Sequence, residues 1–228
     1  MTGPSKEGGV PSLALSEAEQ RIYNRAMTGD REKVLVRWSG GELRSGDLRR
    51  LREGQWLNDE LINGYMHLVA EASGGNVAAM SSFFVPLLRI SYARVQRWTR
   101  GKDVLACSKI LVPVHEASHW TLAVIDLARR RLQYYDSLGG SGKRCLQLLR
   151  EWVAQEHLSK RGAALNMASW KMETVHSAPK QRNGSDCGVF LCQYARGIAA
   201  EVPLIFSQRQ MPLFRQRMLV DLLNQQLS

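Results

Sequence analysis

The chain has no run of about 18 or more apolar residues, which excludes a membrane-spanning helix. Its first residues, Met1 to Gly9, mix Gly, Pro, Ser and charge around no apolar core and do not read as a secretory signal. Cysteine is scarce. The four, at positions 107, 145, 187 and 192, form no CxxC pair and share no zinc-ligand spacing with histidine, so neither a metal site nor a disulfide framework is expected. Reduced thiols in the cytosol or nucleus fit better. A dense basic run is also missing, although the formal net charge is +10. Arginines such as Arg49, Arg50, Arg94, Arg129 and Arg130 are scattered, with no nucleic-acid-binding motif. Nucleic acid, an acidic protein partner and a plain solvated basic surface all remain open as readings of that charge. There is no internal repeat and no clear linker.

What is present fits one domain. A chain of 228 residues, 44% hydrophobic, is long enough to bury a sizeable core. Residues 1–12, rich in Gly, Ser and Pro, read as a flexible tail, and 13–228 as the folded unit. A helix is expected from Ser16 to Met27, with Ser16 as N-cap and Glu19 completing a capping box. Lys33 to Trp38 reads as a short strand, and Ser45 to Arg52 as a short helix. Glu60 to Glu71 reads as an amphipathic helix broken by Ser73-Gly74-Gly75-Asn76. Ile110 to Val114, with Pro113 limiting its pairing, Trp120 to Asp126 and Arg131 to Asp136 make a β-rich middle. Helices are expected at about 141–157, 188–200 and 208–226. Helices, then strands, then helices indicate an α+β fold.

The chemistry concentrates in three places. Gln181-Arg182-Asn183-Gly184-Ser185-Asp186-Cys187-Gly188 leads into an apolar helix, so Cys187 stands at a helix start, where backbone N–H groups and the dipole favour a thiolate. The two strand runs that hold His119 and Asp136 are joined by a polar turn at 127–130. A turn of two to four residues there sets His119 opposite Asp136 or one step from it. That is the base and orienting carboxylate a nucleophile requires. Taken singly, each residue reads as structural; together they point to a cysteine protease. Cys107, Cys145 and Cys192 read as small buried hydrophobes.

His119-Trp120-x-Leu122-Ala123-Val124, Tyr134-Tyr135-Asp136-Ser137 and the Gln181-to-Gly188 run resemble the SUMO-specific (sentrin-specific) proteases of the ubiquitin-like-protein protease family. Trp56-Leu57-Asn58-Asp59-Glu60, Phe83-Phe84, Arg97-Trp98-Thr99, Ile110 to His115 and Met211-Pro212-x-Phe214-Arg215 follow in family order. The resemblance implies a single papain-like cysteine protease domain with a central mixed sheet flanked by helices. It makes Cys187 the nucleophile, His119 the base, Asp136 the orienter and Gln181 an oxyanion-hole donor. Trp56 and Trp120 would wall a slot for a Gly-Gly tail, although from the residues alone both read equally as core tryptophans. Arg97, Trp98 and Phe84 would contact the modifier. His115 matches but takes no catalytic role. The implied activity is cleavage after the terminal Gly-Gly of SUMO, from lysine conjugates and from precursors. Rival readings are a protease for another modifier such as the Nedd-type protein, an acyltransferase on the same fold, a non-catalytic SUMO-binding module and a nucleic-acid binder acting by charge. The implied partners are SUMO and SUMO-conjugated proteins, for a monomer without cofactor, metal, nucleic acid or membrane, in the nucleus or cytoplasm, with the nucleus favoured by the resemblance. Arg182 and the segments 74–82 and 138–146 depart from the family pattern.

Overall fold

The computed structural model describes residues 13–228, so the tail expected at 1–12 lies outside the described residues. Ser16 caps α1 (Glu17–Ala26), accepting from the Glu19 N–H while the Glu19 carboxylate accepts from the Ser16 N–H at 2.8 Å. The hairpin of β1 (Val34–Trp38) and β2 (Gly41–Arg44) follows, then the short α2 (Ser45–Leu48). Asn58 caps α3 (Asp59–Ala72) by accepting from the Leu61 N–H. Next come β3 (Val77–Ala79), α4 (Phe84–Ile90), α5 (Tyr92–Gln96), β4 (Lys109–Glu116), β5 (His119–Asp126) and β6 (Arg131–Tyr135). The chain then runs through α6 (Lys143–Arg161), β7 (Lys171–Thr174), α7 (Cys187–Ala199) and α8 (Met211–Asn224).

Five strands form one mixed sheet in the order β3-β4-β5-β6-β7. The middle pairs are antiparallel, and each outer strand is parallel to its neighbour. Pro113 pairs with Leu122 inside the sheet. β3 stops opposite Leu111, so on that side the missing N–H of Pro113 falls beyond the pairing, which reconciles a proline with a central strand. With period-2 alternation the sheet feeds two cores. Leu111, Trp120, Leu122 and Val124 pack with α3, α7 and α8. Ile110, Val112, Ala123 and Ile125 pack with α4 and α6. The α+β architecture with a mixed sheet between helices agrees with the sequence reading. Among the described residues, no helix is long and apolar enough to cross a membrane.

Phe84 requires a correction. Expected as a modifier contact, it is 0% exposed, set edge-on against Trp152 of α6 with ring centroids 5.1 Å apart. It opens α4 facing the second core, so it packs inside rather than touching a partner, and its neighbour Phe83 carries the exposure. Trp98 is half-buried, 6.1 Å from Phe84 between centroids, and Arg97 is exposed. Their turn is fixed to α6 by Glu156, which accepts from Thr99 at 2.6 Å and from Tyr92 at 2.7 Å. Phe84→Ala should lower unfolding free energy by about 3–5 kcal/mol, the cost of a large buried cavity. Urea unfolding followed by tryptophan fluorescence measures it, and a loss under about 1 kcal/mol would contradict a core role.

Candidate active site

Strands β4 and β5 are joined by only two residues, Ala117 and Ser118, both at positive φ (47° and 62°). A two-residue hairpin turn of this hand needs positive φ at both positions and normally draws Gly or Asn. Here it closes on the pair Glu116 and His119 and makes His119 the first residue of β5. The β5–β6 ladder runs from Leu122 opposite Tyr135 to Asp126 opposite Arg131. Extended outward, it puts Asp136 across from position 121, two residues from His119 and on the same face. The sequence reading of the pair as opposite or one step apart thus resolves to a same-face diagonal. The side chains close the gap: His119 Nε2 lies 2.7 Å from Asp136 Oδ1.

Asp136 is buried and surrounded by donors. The Leu138 N–H reaches Oδ1 at 2.7 Å, and the Gly140 N–H reaches Oδ2 at 2.9 Å. A Cβ at Gly140 would stand 2.4 Å from Oδ2, so this approach requires glycine. Burial raises the Asp136 pKa, but His119 and these two N–H groups outweigh it and hold it below the ordinary carboxylate value. His119 is pushed up to about 9, first by its hydrogen bond to Asp136 and then by Cys187, against the opposing effect of burial. With Nε2 committed to Asp136, Nδ1 is the nitrogen left to exchange a proton with the thiol.

Cys187 is the first residue of α7 and is buried. Burial pushes its pKa up, but His119, the Trp120 N–H and the Gly188 N–H together bring the net value below that of an ordinary thiol. The other three cysteines are buried and free, and burial moves each of their pKa values upward. One thiol in four is therefore poised as a thiolate, beside an imidazolium and at a helix N-terminus.

The loop before α7 is held from several sides. The Gln181 side chain is buried, its Oε1 accepting from the Ser137 hydroxyl at 2.5 Å and its Nε2 donating to the Asn183 carbonyl at 2.6 Å. Those partners fix which end of the amide is nitrogen, and they leave Nε2 one further hydrogen. Asp186 is buried under Arg215 of α8, whose Nε and Nη2 reach Oδ1 at 2.9 and 2.6 Å. Its Oδ2 accepts from Asn183 and Gln208. The same guanidinium donates to the Arg50, Arg52, Gln55 and Ser185 carbonyls. Sequence reasoning quoted Ser137, Asn183, Asp186 and Arg215 within motifs but gave them no role. The available signal was the match of Met211-Pro212-x-Phe214-Arg215 to a family segment, which placed Arg215 in the helix but named no partner for it.

The two tryptophans expected to wall a slot differ. Trp56 is 51% exposed. Trp120 is 3% exposed, stacked on His115 at 4.2 Å between centroids, and donates from Nε1 to the Leu57 carbonyl at 3.0 Å. A Cβ at Gly188 would meet Leu57 at 3.0 Å, so the start of α7 lies directly against the residue after Trp56. The structure thus gathers His119, Asp136, Cys187, Gln181, Trp120 and the Trp56–Leu57 segment. Phe84 and Trp98 belong to the core on the other side of the sheet.

Residues 55–227 match the Ulp1 protease family, C-terminal catalytic domain. Human sentrin-specific protease 2 is 39% identical over 223 residues, covering 94% of this chain and 38% of that protein. The chain thus spans about two fifths of the length of such curated relatives. Among solved structures, the C-terminal Ulp1 protease domain in complex with Smt3, the yeast ortholog of SUMO, superposes with a TM-score of 0.81 at 27% identity, covering 94% of this chain and 97% of that one. The Chaetomium thermophilum Ulp1-like SUMO protease catalytic domain gives 0.84 at 30% identity, covering 94% and 91%.

The two shifts define a pH window. Cys187, lowered, ionises below the pH of an ordinary thiol, and His119, raised, keeps its proton until about pH 9. Between those points the thiolate and imidazolium coexist. Alkylation of Cys187 by iodoacetamide should therefore already be fast at neutral pH. In His119→Ala the rise should move to higher pH, because burial is then less opposed. The pH–rate profile of alkylation checks this, and superimposable profiles would disprove the pairing.

Proposed function

The chain belongs to the Ulp1 protease family, and on that premise we propose that it is a cysteine isopeptidase that cleaves after the C-terminal Gly-Gly of SUMO. It releases SUMO from lysine side chains and processes SUMO precursors. The observation that carries the reading is the His119–Asp136 pair at the N-terminus of the helix that begins with Cys187. We assign the catalytic domain to residues 13–228.

The steps follow from the groups present. The Cys187 thiolate attacks the carbonyl carbon of the terminal glycine. The resulting oxyanion is met by the remaining Gln181 Nε2 hydrogen and the Cys187 backbone N–H. His119, protonated at Nδ1, gives its proton to the departing lysine amine, leaving a thioester on Cys187. The neutral imidazole then takes a proton from water, which attacks the thioester and frees the carboxylate. Asp136 holds the ring in place throughout and stabilises its charged form. The carboxylate is itself held by the Leu138 and Gly140 N–H groups, so its position does not depend on His119 alone.

Two indoles that admit a backbone without side chains would select glycine, which is the role proposed for Trp56 and Trp120. Arg97 and Trp98 offer an exposed cation and a half-buried ring for the body of the modifier. The net charge of +10 suits an acidic modifier and would steer encounter. Four free cysteines fit a reducing compartment, and we place the protein in the nucleus or cytoplasm.

Probes of SUMO, ubiquitin and the Nedd-type modifier, each ending in a thiol-reactive warhead, test the assignment together with variants. SUMO alone should label Cys187. Cys187→Ser should abolish turnover of a SUMO fluorogenic substrate, and Asp136→Asn should slow it by about 10²–10⁴. Labelling by the Nedd-type probe in preference to SUMO, or wild-type turnover in a folded Cys187→Ser protein, would refute the proposal.

The slot has its own test. Trp56→Ala should lower kcat/KM for SUMO while Cys187 still reacts normally with iodoacetamide. A modifier ending in Gly-Ala should be cleaved poorly by the parent enzyme, at a cost of about 1–3 kcal/mol from the added methyl. Normal cleavage in both cases would return the two tryptophans to a packing role.

A further inference from the structure

Three candidates stand apart from the chemistry already described. A groove between α1, β1 and α8 is rimmed by Arg21, Arg25 and Lys33, but nothing seated there identifies an occupant. An apolar patch around Val202 and Ile205 is exposed, again with nothing to cover it. The third is Arg215, and its geometry carries further.

Arg215 is 1% exposed, and all its side-chain nitrogens are engaged. Two of them grip Asp186, the residue immediately before the nucleophile. Of these two, Nη2 also reaches the Ser185 carbonyl on the same turn and the Gln55 carbonyl, while the third nitrogen, Nη1, reaches the carbonyls at positions 50 and 52. One planar cation therefore ties the segment ending just before Trp56 to the turn that presents Cys187. It also supplies the positive charge that faces the Asp186 carboxylate. Other groups around that carboxylate, Asn183 and Gln208, are neutral, so among the described partners only Arg215 balances the charge. An unbalanced carboxylate one residue from the thiol would oppose its ionisation through a partly buried medium.

We propose that Arg215 is a positioning residue for the reaction: it neutralises Asp186 beside the thiolate and fixes the Trp56 segment against the nucleophile turn. The proposal rests on the protease reading above, and it makes two separable claims. The charge claim concerns Cys187 alone and needs no substrate. The tether claim concerns how the modifier tail is held, and only turnover reports it.

The experiment compares the parent protein with Arg215→Gln, Arg215→Lys, Asp186→Asn and the double variant Arg215→Gln/Asp186→Asn, with folding checked by circular dichroism. Two readouts are taken: the pH profile of Cys187 alkylation, and kcat and KM on a SUMO fluorogenic substrate. In Arg215→Gln the alkylation profile should move up by about one pH unit, a tenfold loss of thiolate below the pKa. The double variant should bring the profile back, because both charges are gone. Its kcat should stay at least about tenfold below the parent, because the carbonyls at 50, 52 and 55 are no longer gathered. Arg215→Lys should restore the profile but not the kcat, since an ammonium cannot span those acceptors in a fixed plane.

A parent-like alkylation profile in Arg215→Gln, or a shifted profile that the second substitution does not return, overturns the charge claim. A parent-like kcat in the double variant overturns the tether claim. That variant leaves no buried unpaired carboxylate and so remains informative if Arg215→Gln fails to fold. If the parent does not cleave SUMO while the alkylation shifts occur as stated, the protease reading fails and the charge claim stands.

Discussion

Three acids stand at one end of this sheet: the carboxylates of Asp136 and Asp186, both buried, and the thiol of Cys187. Catalysis by a thiolate asks all three to be anions at once, within a small volume that is largely shielded from water. Buried charge is tolerated only when it is paired and hydrogen-bonded. Much of the local structure answers that demand. His119 serves two anions, bonding Asp136 through Nε2 and facing Cys187 with its other nitrogen. Arg215 serves Asp186. Backbone N–H groups of Leu138 and Gly140 complete the first carboxylate, and those of Trp120 and Gly188 favour the thiolate.

This demand explains features that otherwise look like weak folding choices. The β4–β5 turn uses Ala and Ser in a conformation that favours glycine, at a cost of about 1–2 kcal/mol per residue. The short turn fixes His119 at the very start of its strand, where the diagonal to Asp136 can close. The 138–140 loop does use glycine, because its backbone must approach a carboxylate more closely than a Cβ permits. Lys180 donates to the Asp136 carbonyl at 2.8 Å, and the Gln181 N–H donates to the Ser137 carbonyl at 3.0 Å. The loop that follows Asp136 and the loop that leads to Cys187 are therefore stitched together by the chain's own hydrogen bonds.

The sequence made the long elements and the grouping of His119, Asp136 and Cys187 legible, and the reasons are physical. α1 was marked by its capping box, α3 by an apolar face and a glycine break, and α7 by an apolar run behind a turn. The β5–β6 hairpin brought His119 near Asp136 through counting alone. β3 and β7 were missed because they are short, with three and four residues, and owe their existence to parallel partners far along the chain. β2 was missed because Gly41–Arg44 carries no strong strand pattern, and α4 because Pro86 and a short span hide it. Phe84 was misassigned because a motif match says nothing about which way a ring points. Arg215 went without a role because four of its acceptors are backbone carbonyls, which every residue has and no sequence pattern records, and its carboxylate partner Asp186 lies far from it in sequence.

Trp56 shows how the same constraint reaches the surface. Its own ring is exposed and contributes little to the core. The residues on both sides are held: the Gln55 carbonyl accepts from Arg215, and the Leu57 carbonyl accepts from the Trp120 indole. Leu57 also packs against the backbone at Gly188, one residue past the nucleophile. An exposed aromatic on a backbone clamped at both neighbours loses little freedom on contact with a partner, which is the cost that otherwise weakens surface recognition. The clamps come from the groups that surround the thiolate, Arg215 through Asp186 and Trp120 through its own N–H. The turn that carries Cys187 and the backbone on either side of Trp56 are therefore held by one hydrogen-bonded and packed network.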